Sequence, residues 1–386
     1  MQRNNPKILL KSSAKEFLRP EIIFVHGSHR QRKIHQIIDF EYFNLKDINI
    51  MNKKNHLKLL CILIYYIIYT KIRKNSLRYI LSDGTSTKLL FAHIFSYFSG
   101  CPLIVRVRGD NWDAQKTESS EIPSVTRRLR AVLQHRIDDF VIPRAKLVIA
   151  VSNYLQDKIQ KKFNLPNERL AVLAVPLTDE ETLLPSNPTT LQLTGRFILT
   201  VTNFNFWKKC GALLKYLSEI TCFLEKYPDV KIVIAGNGTH LERMKIEISN
   251  TSISDSIIFA GKIENLSSLY RTATAFLHLS HLDSFTNVVV EAQAAGLPTV
   301  VNNFPGMTEA LTFPGGVAVD ESVPGGLYCA LDAIFADPTS ALTRAAVSRE
   351  ETLRRFSAPA VAAQFRQIVQ ERLVRPSNRA FTDMTV

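Results

Sequence analysis

Two acidic side chains, Asp283 and Glu291, are separated by seven residues in the second half of the chain. Glu291 lies in the run VVVEA, where a helix would place its carboxylate among valines and alanines. A carboxylate that is removed from water must be paired or must accept hydrogen bonds, and the hydroxyl groups of a ligand can donate them. A plainer interpretation is that Asp283 forms a turn and Glu291 complements a helix dipole. The residue types and their spacing leave both interpretations open.

A predicted strand-helix-strand unit over residues 275–309 must position these acids. The segment AFLHLS predicts a buried strand, VVVEAQAAG a helix start and PTVVNN a second strand, followed by the loop FPGMTE. In open parallel sheets, ligands bind at the carboxyl ends of the strands, where helix N-termini point N–H groups at anions. The loop between the two acids is therefore predicted to lie where a phosphate would bind. Its residues are Ser284, Phe285, Thr286, Asn287 and Val288.

The stretch D-SFTNVVV-E-AQAAGLP resembles the donor-sugar motif of retaining GT-B glycosyltransferases of the group 1 type. That motif is an acid, seven residues, a Glu and then A-x-A-x-G-x-P, and this chain has Asp283 where the first acid is usually Glu. The resemblance covers roughly residues 80–365. It implies an α/β chain with the GT-B fold, in which two Rossmann-like domains with parallel sheets face each other across a cleft. It also implies that Glu291 holds ribose hydroxyls and Asp283 a sugar hydroxyl of a nucleotide-sugar donor, without a metal or other cofactor.

Two basic positions of the family hold the donor diphosphate, and this chain retains one of them. The family has an Arg just after the strand that opens the second domain, where this chain has the neutral Asn203. The family's Lys at the next helix start corresponds to Lys208 or Lys209, and the spacing does not separate them. The resemblance therefore implies that a lysine and backbone amides stabilise the leaving diphosphate. The alternative interpretation is that both lysines are solvated residues at the start of an exposed helix and have no function in binding.

The rest of the implied donor site consists of backbone turns. Gly236 and Gly238 match a family turn, and two glycines either let the backbone approach a ligand or simply make the turn. Relatives hold the nucleotide base through backbone groups of a loop that corresponds to residues 261–265, with Lys262 and Ile263 at its centre.

The first domain offers fewer family positions. In the segment CPLIVRVRGDNWD, alternation places Arg106 and Arg108 on the same side of a strand. The family has a His near the reacting sugar at the position of Arg108. The guanidinium of Arg108 could hold a phosphate or carboxylate of the acceptor, or the two arginines could be solvated charges on an edge strand. The family's Gly-rich loop is reduced here to His26, Gly27 and Ser28.

A chain of 386 residues is expected to form more than one hydrophobic core. We expect an N-terminal acceptor-binding domain over residues 1–180 and a nucleotide-sugar-binding domain over residues 195–355. In the family, a last helix packs back on the first domain, and it corresponds to residues 356–375. The Pro-rich segment between the two domains is predicted to be a linker.

Positive charge is concentrated in the first domain. Residues 1–180 contain 30 Lys and Arg against 16 Asp and Glu, a net charge of +14, whereas the whole chain carries +13. Such a surface suits an anionic membrane or a diphospholipid-linked acceptor. Residues 121–136 predict a basic amphipathic helix that is either solvated or bound to anionic lipid. No nucleic-acid-binding motif is present, so nucleic acid is not an expected partner.

The cysteines and the longest apolar run bear on localisation. Five scattered cysteines predict reduced core residues of a cytosolic protein. The apolar run Leu59–Tyr69 has 11 residues, fewer than the ~20 that span a bilayer, and predicts a buried helix. We therefore expect a cytoplasmic location, with peripheral attachment to the inner face of the membrane as an alternative.

The expected function is retaining transfer of a sugar from a nucleotide-sugar to a glycan or lipid-linked acceptor, in cell-surface polysaccharide or glycolipid synthesis. Asp283, Glu291, Lys208, Lys209 and Arg108 are the candidate catalytic residues. Two alternatives remain: a nucleotide-sugar epimerase or hydrolase on the same fold, and a catalytically degenerate binding protein.

Overall fold

Short apolar runs form the strands of a parallel sheet in the first half of the chain. The computed structural model describes residues 22–26, 45–49, 79–84, 87–110, 112, 125–177 and 195–374. The six strands of this sheet pair in parallel in the order β2-β1-β3-β4-β5-β6. They are β1 (Ile22–His26), β2 (Leu45–Asn49), β3 (Tyr79–Asp83), β4 (Leu103–Val107), β5 (Leu147–Ala150) and β6 (Leu170–Val172).

A second parallel sheet of six strands follows, in the order β12-β11-β10-β7-β8-β9. Its strands are β7 (Phe197–Val201), β8 (Lys231–Ala235), β9 (Ile257–Gly261), β10 (Ala275–His278), β11 (Thr299–Asn302) and β12 (Gly316–Val319). Numbered within this domain, the order is 6-5-4-1-2-3, which is that of a Rossmann sheet. The predicted α/β class with two parallel-sheet domains is confirmed.

Helices alternate with the strands, as parallel connections require. Within the described residues of the first half, the helices are α1 (Thr87–Ser99), α2 (Val125–Val141) and α3 (Asn153–Phe163). In the second half they are α4 (Trp207–Cys210), α5 (Leu217–Lys226), α6 (Leu241–Ser249), α7 (Ser267–Thr272), α8 (Asn287–Ala294), α9 (Pro305–Thr308), α10 (Gly326–Ala336), α11 (Pro338–Phe356) and α12 (Ala358–Val369). A π-helical turn, Gln370–Val374, follows α12.

The last helix, α12, returns to the first sheet. Val361 and Phe365 of α12 share a hydrophobic cluster with Tyr79 of β3 and Ile104 of β4. The ring of Phe365 lies edge-on to that of Tyr79, with centroids 6.3 Å apart. The chain therefore ties the two halves together by burying apolar surface at its C-terminal end.

Several local expectations differ from the structure. Helix α11 was not predicted, because its 19 residues carry many charges and few apolar positions. The segment LAVLAVPL is a strand only over Leu170–Val172. Cys210 is buried as expected, but Cys222 and Cys329 are exposed. Expectations for Cys61, the apolar run Leu59–Tyr69, Gly27, Ser28 and the interdomain linker lie outside the described residues.

Of the two alternatives left open for the arginines, the one in which Arg106 is a solvated charge on an edge strand is wrong. β4 pairs with β3 on one side and β5 on the other, so it is an interior strand. Arg106 is only 1% exposed. A charged side chain in such a position requires a partner, which the sequence pattern does not reveal.

Candidate functional site

The site lies where the second sheet reverses direction. β7 and β10 are adjacent, and the chain leaves them toward opposite edges of the sheet. This switch point is where open α/β sheets bind ligands, beyond the carboxyl ends of the strands. β10 ends at His278, and the loop after it leads into helix α8, which begins at Asn287. Residues Asp283 to Thr286 therefore lie at this switch point, between the end of β10 and the start of α8.

The N-terminus of α8 has polar atoms that are not satisfied within the described part of the chain. Thr286 is the N-cap residue, but its side chain makes no capping hydrogen bond. Its Oγ1 atom and the Oδ1 atom of Asn287 are buried without a hydrogen-bond partner among the described residues. Buried polar atoms normally have partners, so these two suit a ligand that brings its own polar groups. The helix dipole favours an anion there.

Asp283 is the most strongly perturbed carboxylate of the site. It is 6% exposed and forms an ion pair with the Lys209 ammonium. Its Oδ2 atom lies 3.0 Å from Nε2 of His278, which is itself 1% exposed. Burial alone would raise the pKa of Asp283, but Lys209 and His278 outweigh it and hold that pKa well below its usual value. Asp283 is therefore an ionised carboxylate in the protein interior.

The structure distinguishes the two lysines that the sequence could not. Lys209 is partly buried and directed at Asp283, whereas Lys208 is exposed. The backbone carbonyl of Lys208 accepts a hydrogen bond from the amide of His281, 3.1 Å away. Asn203 uses its side chain locally, because its Oδ1 accepts from the Asn205 amide at 2.8 Å. Of these candidates, Lys209 is the cation that the structure places beside the loop.

Glu291 lies one turn into α8 and is partly buried. The hydroxyl of Tyr270, on α7, donates a hydrogen bond to its Oε2 at 3.1 Å. Tyr270 is 5% exposed and packs edge-on against Phe276 of β10. A buried phenol therefore orients Glu291, whose carboxylate group has several acceptor sites for hydrogen bonds.

Ser284 and Phe285 join the two domains at the site. The Ser284 hydroxyl accepts a hydrogen bond from the Asp110 amide at 3.1 Å, and its carbonyl accepts one from the Ser152 hydroxyl at 2.5 Å. Phe285 packs against buried clusters of both domains. Val288 packs against the cluster in the second domain only. The loop between the two acids is therefore shaped by the first domain as well as by the second.

Gly236 and Gly238 serve a packing role. Both have positive φ, of 150° and 156°. A Cβ at Gly236 would collide with the Thr202 carbonyl, and one at Gly238 with the Phe204 backbone. These glycines allow the loops after β7 and β8 to pack together, because backbone atoms of the neighbouring loop occupy the space where a Cβ would lie.

The loop after β9 is more open. Lys262 is exposed and lies 3.5 Å from Glu264. Ile263 packs partly against the second-domain core. Ile263 therefore anchors this loop to the core of the second domain, whereas the Lys262 side chain faces solvent.

In the first domain, Arg108 belongs to a charged group at the ends of β3 and β4. Nη1 of Arg106 lies 3.1 Å from Asp83 Oδ1, and Nη1 of Arg108 lies 3.7 Å from Asp83 Oδ2. Arg106 also donates to the Ala174 carbonyl at 3.1 Å. The pKa of Arg106 is lowered to about 10. Burial is the main cause and the neighbouring Arg108 adds to it, whereas the attraction of Asp83 offsets part of the lowering. Arg108, with 24% of its side chain exposed, is the more accessible of the two guanidinium groups.

Three residues that the sequence did not indicate as functional shape the site: His278, Tyr270 and Gly306. A Cβ at Gly306 would collide with the Asp283 carbonyl, so this glycine lets the loop after β11 support Asp283. His278 could have been found as the polar residue in the apolar strand AFLHLS, five residues before Asp283. Tyr270 carries no such signal, because it is one aromatic residue in a short helix.

The described residues contain neither a cluster of metal-ligating side chains nor a membrane-spanning helix. No group of three or more His, Cys, Asp or Glu side chains there is arranged to hold a metal ion. Among the helices of the described ranges, none combines the length and the apolar character needed to cross a bilayer.

Comparison with known proteins gives a match to a family model over most of the second domain. Residues 186–346 match the family model described as Glycosyl transferases group 1. The alpha-monoglucosyldiacylglycerol synthase of Streptococcus pneumoniae is 25% identical over 186 residues, which are 47% of this chain and 41% of that protein. The chain spans about half or less of the length of such curated relatives.

Solved structures match over nearly the whole chain. A glycosyltransferase from Rickettsia africae has a TM-score of 0.66 at 15% identity, covering 93% of this chain and 100% of that one. Anabaena HepE, solved with UDP and glucose, has a TM-score of 0.64 at 15% identity, covering 91% of this chain and 100% of that one. At this identity the likeness shows the fold alone, and it confirms the predicted GT-B arrangement.

Proposed function

We propose that this chain, whose residues 186–346 match the family model of the group 1 glycosyltransferases, is a member of that family and transfers a sugar from a nucleotide-sugar donor to an acceptor. The donor binds mainly to the second domain. The acceptor is a glycan or a lipid-linked molecule that contacts the first domain. The configuration at the anomeric carbon is retained.

One observation carries the donor assignment: the uncapped N-terminus of α8 at the switch point of a Rossmann sheet. Its buried and unpartnered Thr286 Oγ1 and Asn287 Oδ1 lie close in sequence to Asp283, which Lys209 contacts. Helix N–H groups and a lysine together suit the diphosphate of a nucleotide-sugar. The structure of Anabaena HepE in complex with UDP and glucose supports a ligand of this class.

In this proposal each side chain has a role in the transfer. Glu291, fixed by Tyr270, accepts hydrogen bonds from the ribose hydroxyls. Asp283 accepts one from a sugar hydroxyl, using lone pairs that Lys209 and His278 leave available. Lys209 and the amides of Ser284 to Asn287 stabilise the charge that develops on the leaving diphosphate. Backbone groups near Ile263 hold the base, and Arg108 faces the acceptor.

The donor assignment is tested by ligand-induced stabilisation followed by turnover. UDP-, GDP-, ADP- and CDP-sugars are screened by thermal shift, since a ligand at a hundred times its Kd stabilises by about 2.7 kcal/mol. With the donor identified, Glu291→Ala should lower transfer by about a hundredfold, whereas Glu350→Ala, an exposed control on α11, should not change it. Full turnover in Glu291→Ala would remove Glu291 from the site.

The same assay separates the alternative functions. Altered or free sugar in the absence of any acceptor would indicate an epimerase or hydrolase. If no nucleotide-sugar binds, the protein is a degenerate binding module. The anomeric configuration of the product, read by NMR, decides whether transfer is retaining.

An anionic membrane surface is the proposed partner of the first domain. Helices α1 and α2 lie side by side, with His93 edge-on to Phe140 at 5.5 Å. Large apolar side chains on them are exposed: Ile94, Tyr97, Phe98, Leu129, Val132, Leu133 and Phe140. Apolar residues on a domain of net charge +14 suit the interface of an anionic bilayer. The diacylglycerol in the name of the S. pneumoniae relative points to the same class of surface.

Sedimentation with vesicles tests this partner. We expect binding to phosphatidylglycerol vesicles at low salt, weaker binding at high salt, and none to phosphatidylcholine vesicles. Leu133→Glu should reduce binding, whereas Leu342→Glu, at a similarly exposed leucine of the second domain, should not. Equal sedimentation of both variants, or no dependence on salt and lipid charge, would contradict the proposal.

A further inference from the structure

Glu309 links the second domain to the first. It follows α9 in the loop FPGMTE, and its carboxylate reaches the N-terminus of α3 across the domain boundary. Oε2 accepts hydrogen bonds from the Asn153 amide at 2.6 Å and from Asn153 Nδ2 at 2.9 Å. Oε1 accepts one from the Tyr154 amide at 2.7 Å. Both carboxylate oxygens are therefore used, and the negative charge lies at the positive end of a helix dipole.

The backbone of Glu309 is held by its own domain. Nη2 of Arg355, near the end of α11, donates to the Glu309 carbonyl at 3.1 Å. Beside this contact, the rings of Phe304 and Tyr154 lie edge-on with centroids 5.4 Å apart. The backbone of Glu309 stays with the second domain, whereas its side chain reaches the first domain, and the residue is partly exposed. Water can compete for such a contact, so it can break and form again as the domains separate and approach.

The donor loop is connected to the same helix N-terminus. Ser152, the N-cap of α3, accepts from the Leu155 amide and donates to the Ser284 carbonyl. Gly306, three residues before Glu309, touches the backbone of Asp283 and Ser284. Separation of Glu309 from α3 would therefore displace the support of the loop that contacts the donor.

We propose that Glu309 is a positioning residue: its carboxylate holds the two domains in the closed arrangement and so keeps the donor loop aligned with the first domain. This role rests on the proposed function, because it concerns alignment of donor and acceptor. Glu309 itself touches neither substrate. Its loss should reduce turnover and leave nucleotide affinity nearly intact, since the nucleotide contacts lie within the second domain.

The experiment compares the full-length wild type with Glu309→Ala, Glu309→Gln and Glu350→Gln. Glu350 is exposed on α11 and serves as a control for the same chemical change. The radius of gyration without ligand is measured by small-angle X-ray scattering, and the Kd of UDP, GDP and ADP by calorimetry. We expect a larger radius in Glu309→Ala, an intermediate one in Glu309→Gln, and no change in Glu350→Gln.

Turnover provides the second readout. Because a displacement of about 1 Å can cost on the order of a hundredfold in rate, we expect kcat of Glu309→Ala to fall at least about tenfold. The nucleotide Kd should stay within about threefold of the wild-type value. Asn153→Asp places a second carboxylate against Glu309 and should open the domains, and adding Glu309→Gln to that variant should restore part of the closure.

Two results would overturn the proposal. An unchanged radius in both Glu309→Ala and Asn153→Asp would show that this contact does not set the domain arrangement. A nucleotide Kd that rises as far as kcat falls would place Glu309 in the donor site. If the wild type transfers no sugar, the proposed function fails, whereas the scattering data still decide the role of Glu309.

Discussion

Asp138 of the first domain and Asp283 of the second domain are both buried, and their surroundings act on them in opposite ways. Asp138 of the first domain is fully buried, and Gln134 donates a hydrogen bond to its Oδ1 at 2.7 Å. Burial raises the pKa of Asp138 to about 7, and the Gln134 hydrogen bond offsets only part of that rise. Asp283 of the second domain is buried almost as deeply, but Lys209 and His278 lower its pKa. Similar burial therefore gives one carboxyl whose pKa is raised to about 7 and one carboxylate whose pKa is lowered.

Charged and hydrogen-bonding partners, rather than the depth of burial, therefore determine whether a buried aspartate is ionised. An ionised carboxylate in the interior retains its charge for hydroxyl groups that arrive later, at a free-energy cost that Lys209 offsets. A carboxyl that burial favours in its neutral form contributes to packing. The proposed reaction accordingly uses Asp283 and makes no use of Asp138.

The largest expected effect concerns turnover. Asp283→Asn removes the charge that pairs with Lys209, and transfer should fall by about a hundredfold to a thousandfold. Asp138→Asn mimics the protonated carboxyl and should stay within about twofold of the wild-type rate. Steady-state kinetics of both variants, with circular dichroism as the control for folding, provide the measurement. Comparable losses of transfer rate in the two variants would show that the two aspartates do not differ in their contribution to the reaction.

A second effect concerns stability as a function of pH. The raised pKa of Asp138 stabilises the folded protein below pH ~4, and this stabilisation is lost as the pH rises toward 7. Because Asn cannot ionise, Asp138→Asn should be more stable than wild type by about 2 kcal/mol at pH 8. The lowered pKa of Asp283 gives stability above pH ~4 that is lost at lower pH, so Asp283→Asn should be less stable at neutral pH and approach wild type in acid.

Urea unfolding of both variants beside the wild type, from pH 3.5 to 8, measures these differences. The stability difference from wild type should have opposite sign in the two variants at pH 8. The same sign in both would show that the two aspartates do not differ in the way their surroundings imply.

The smallest effect concerns the backbone that supports Asp283. Gly306→Ala forces a methyl group against the Asp283 carbonyl and should weaken nucleotide binding about tenfold. Gly326→Ala is the matched control, because its nearest neighbour would be the Asp320 carbonyl at 3.8 Å. Calorimetry with the donor nucleotide compares them. Equal affinities would show that the Asp283 loop tolerates displacement of its support.

The sequence predicted the second domain better than the first, for a physical reason. The acids, the turn and the helix start of the donor loop are consecutive in the chain, so their spacing is visible in the sequence. The strands of that domain are apolar runs with clear ends, so the pattern predicted them, whereas the two-domain fold was expected from the family resemblance.

The features of the site that the sequence did not predict depend on contacts between segments that are distant in the chain. The Arg106–Asp83 pair joins residues 23 apart, and the bond from Asp110 to Ser284 joins residues 174 apart. The choice between Lys208 and Lys209 depended on the direction in which a one-turn helix projects its side chains. Charge and composition alone carry no information about such pairings.

Calorimetric titration of a nucleoside diphosphate into wild type, Lys209→Ala and Lys208→Ala tests the central claim most directly. UDP, GDP and ADP serve as the probes. We predict that at least one of them binds the wild type, that Lys209→Ala weakens its binding by about tenfold or more, and that Lys208→Ala stays within about threefold. Absence of binding by all three, or equal affinity in Lys209→Ala and wild type, would contradict a diphosphate site at the N-terminus of α8.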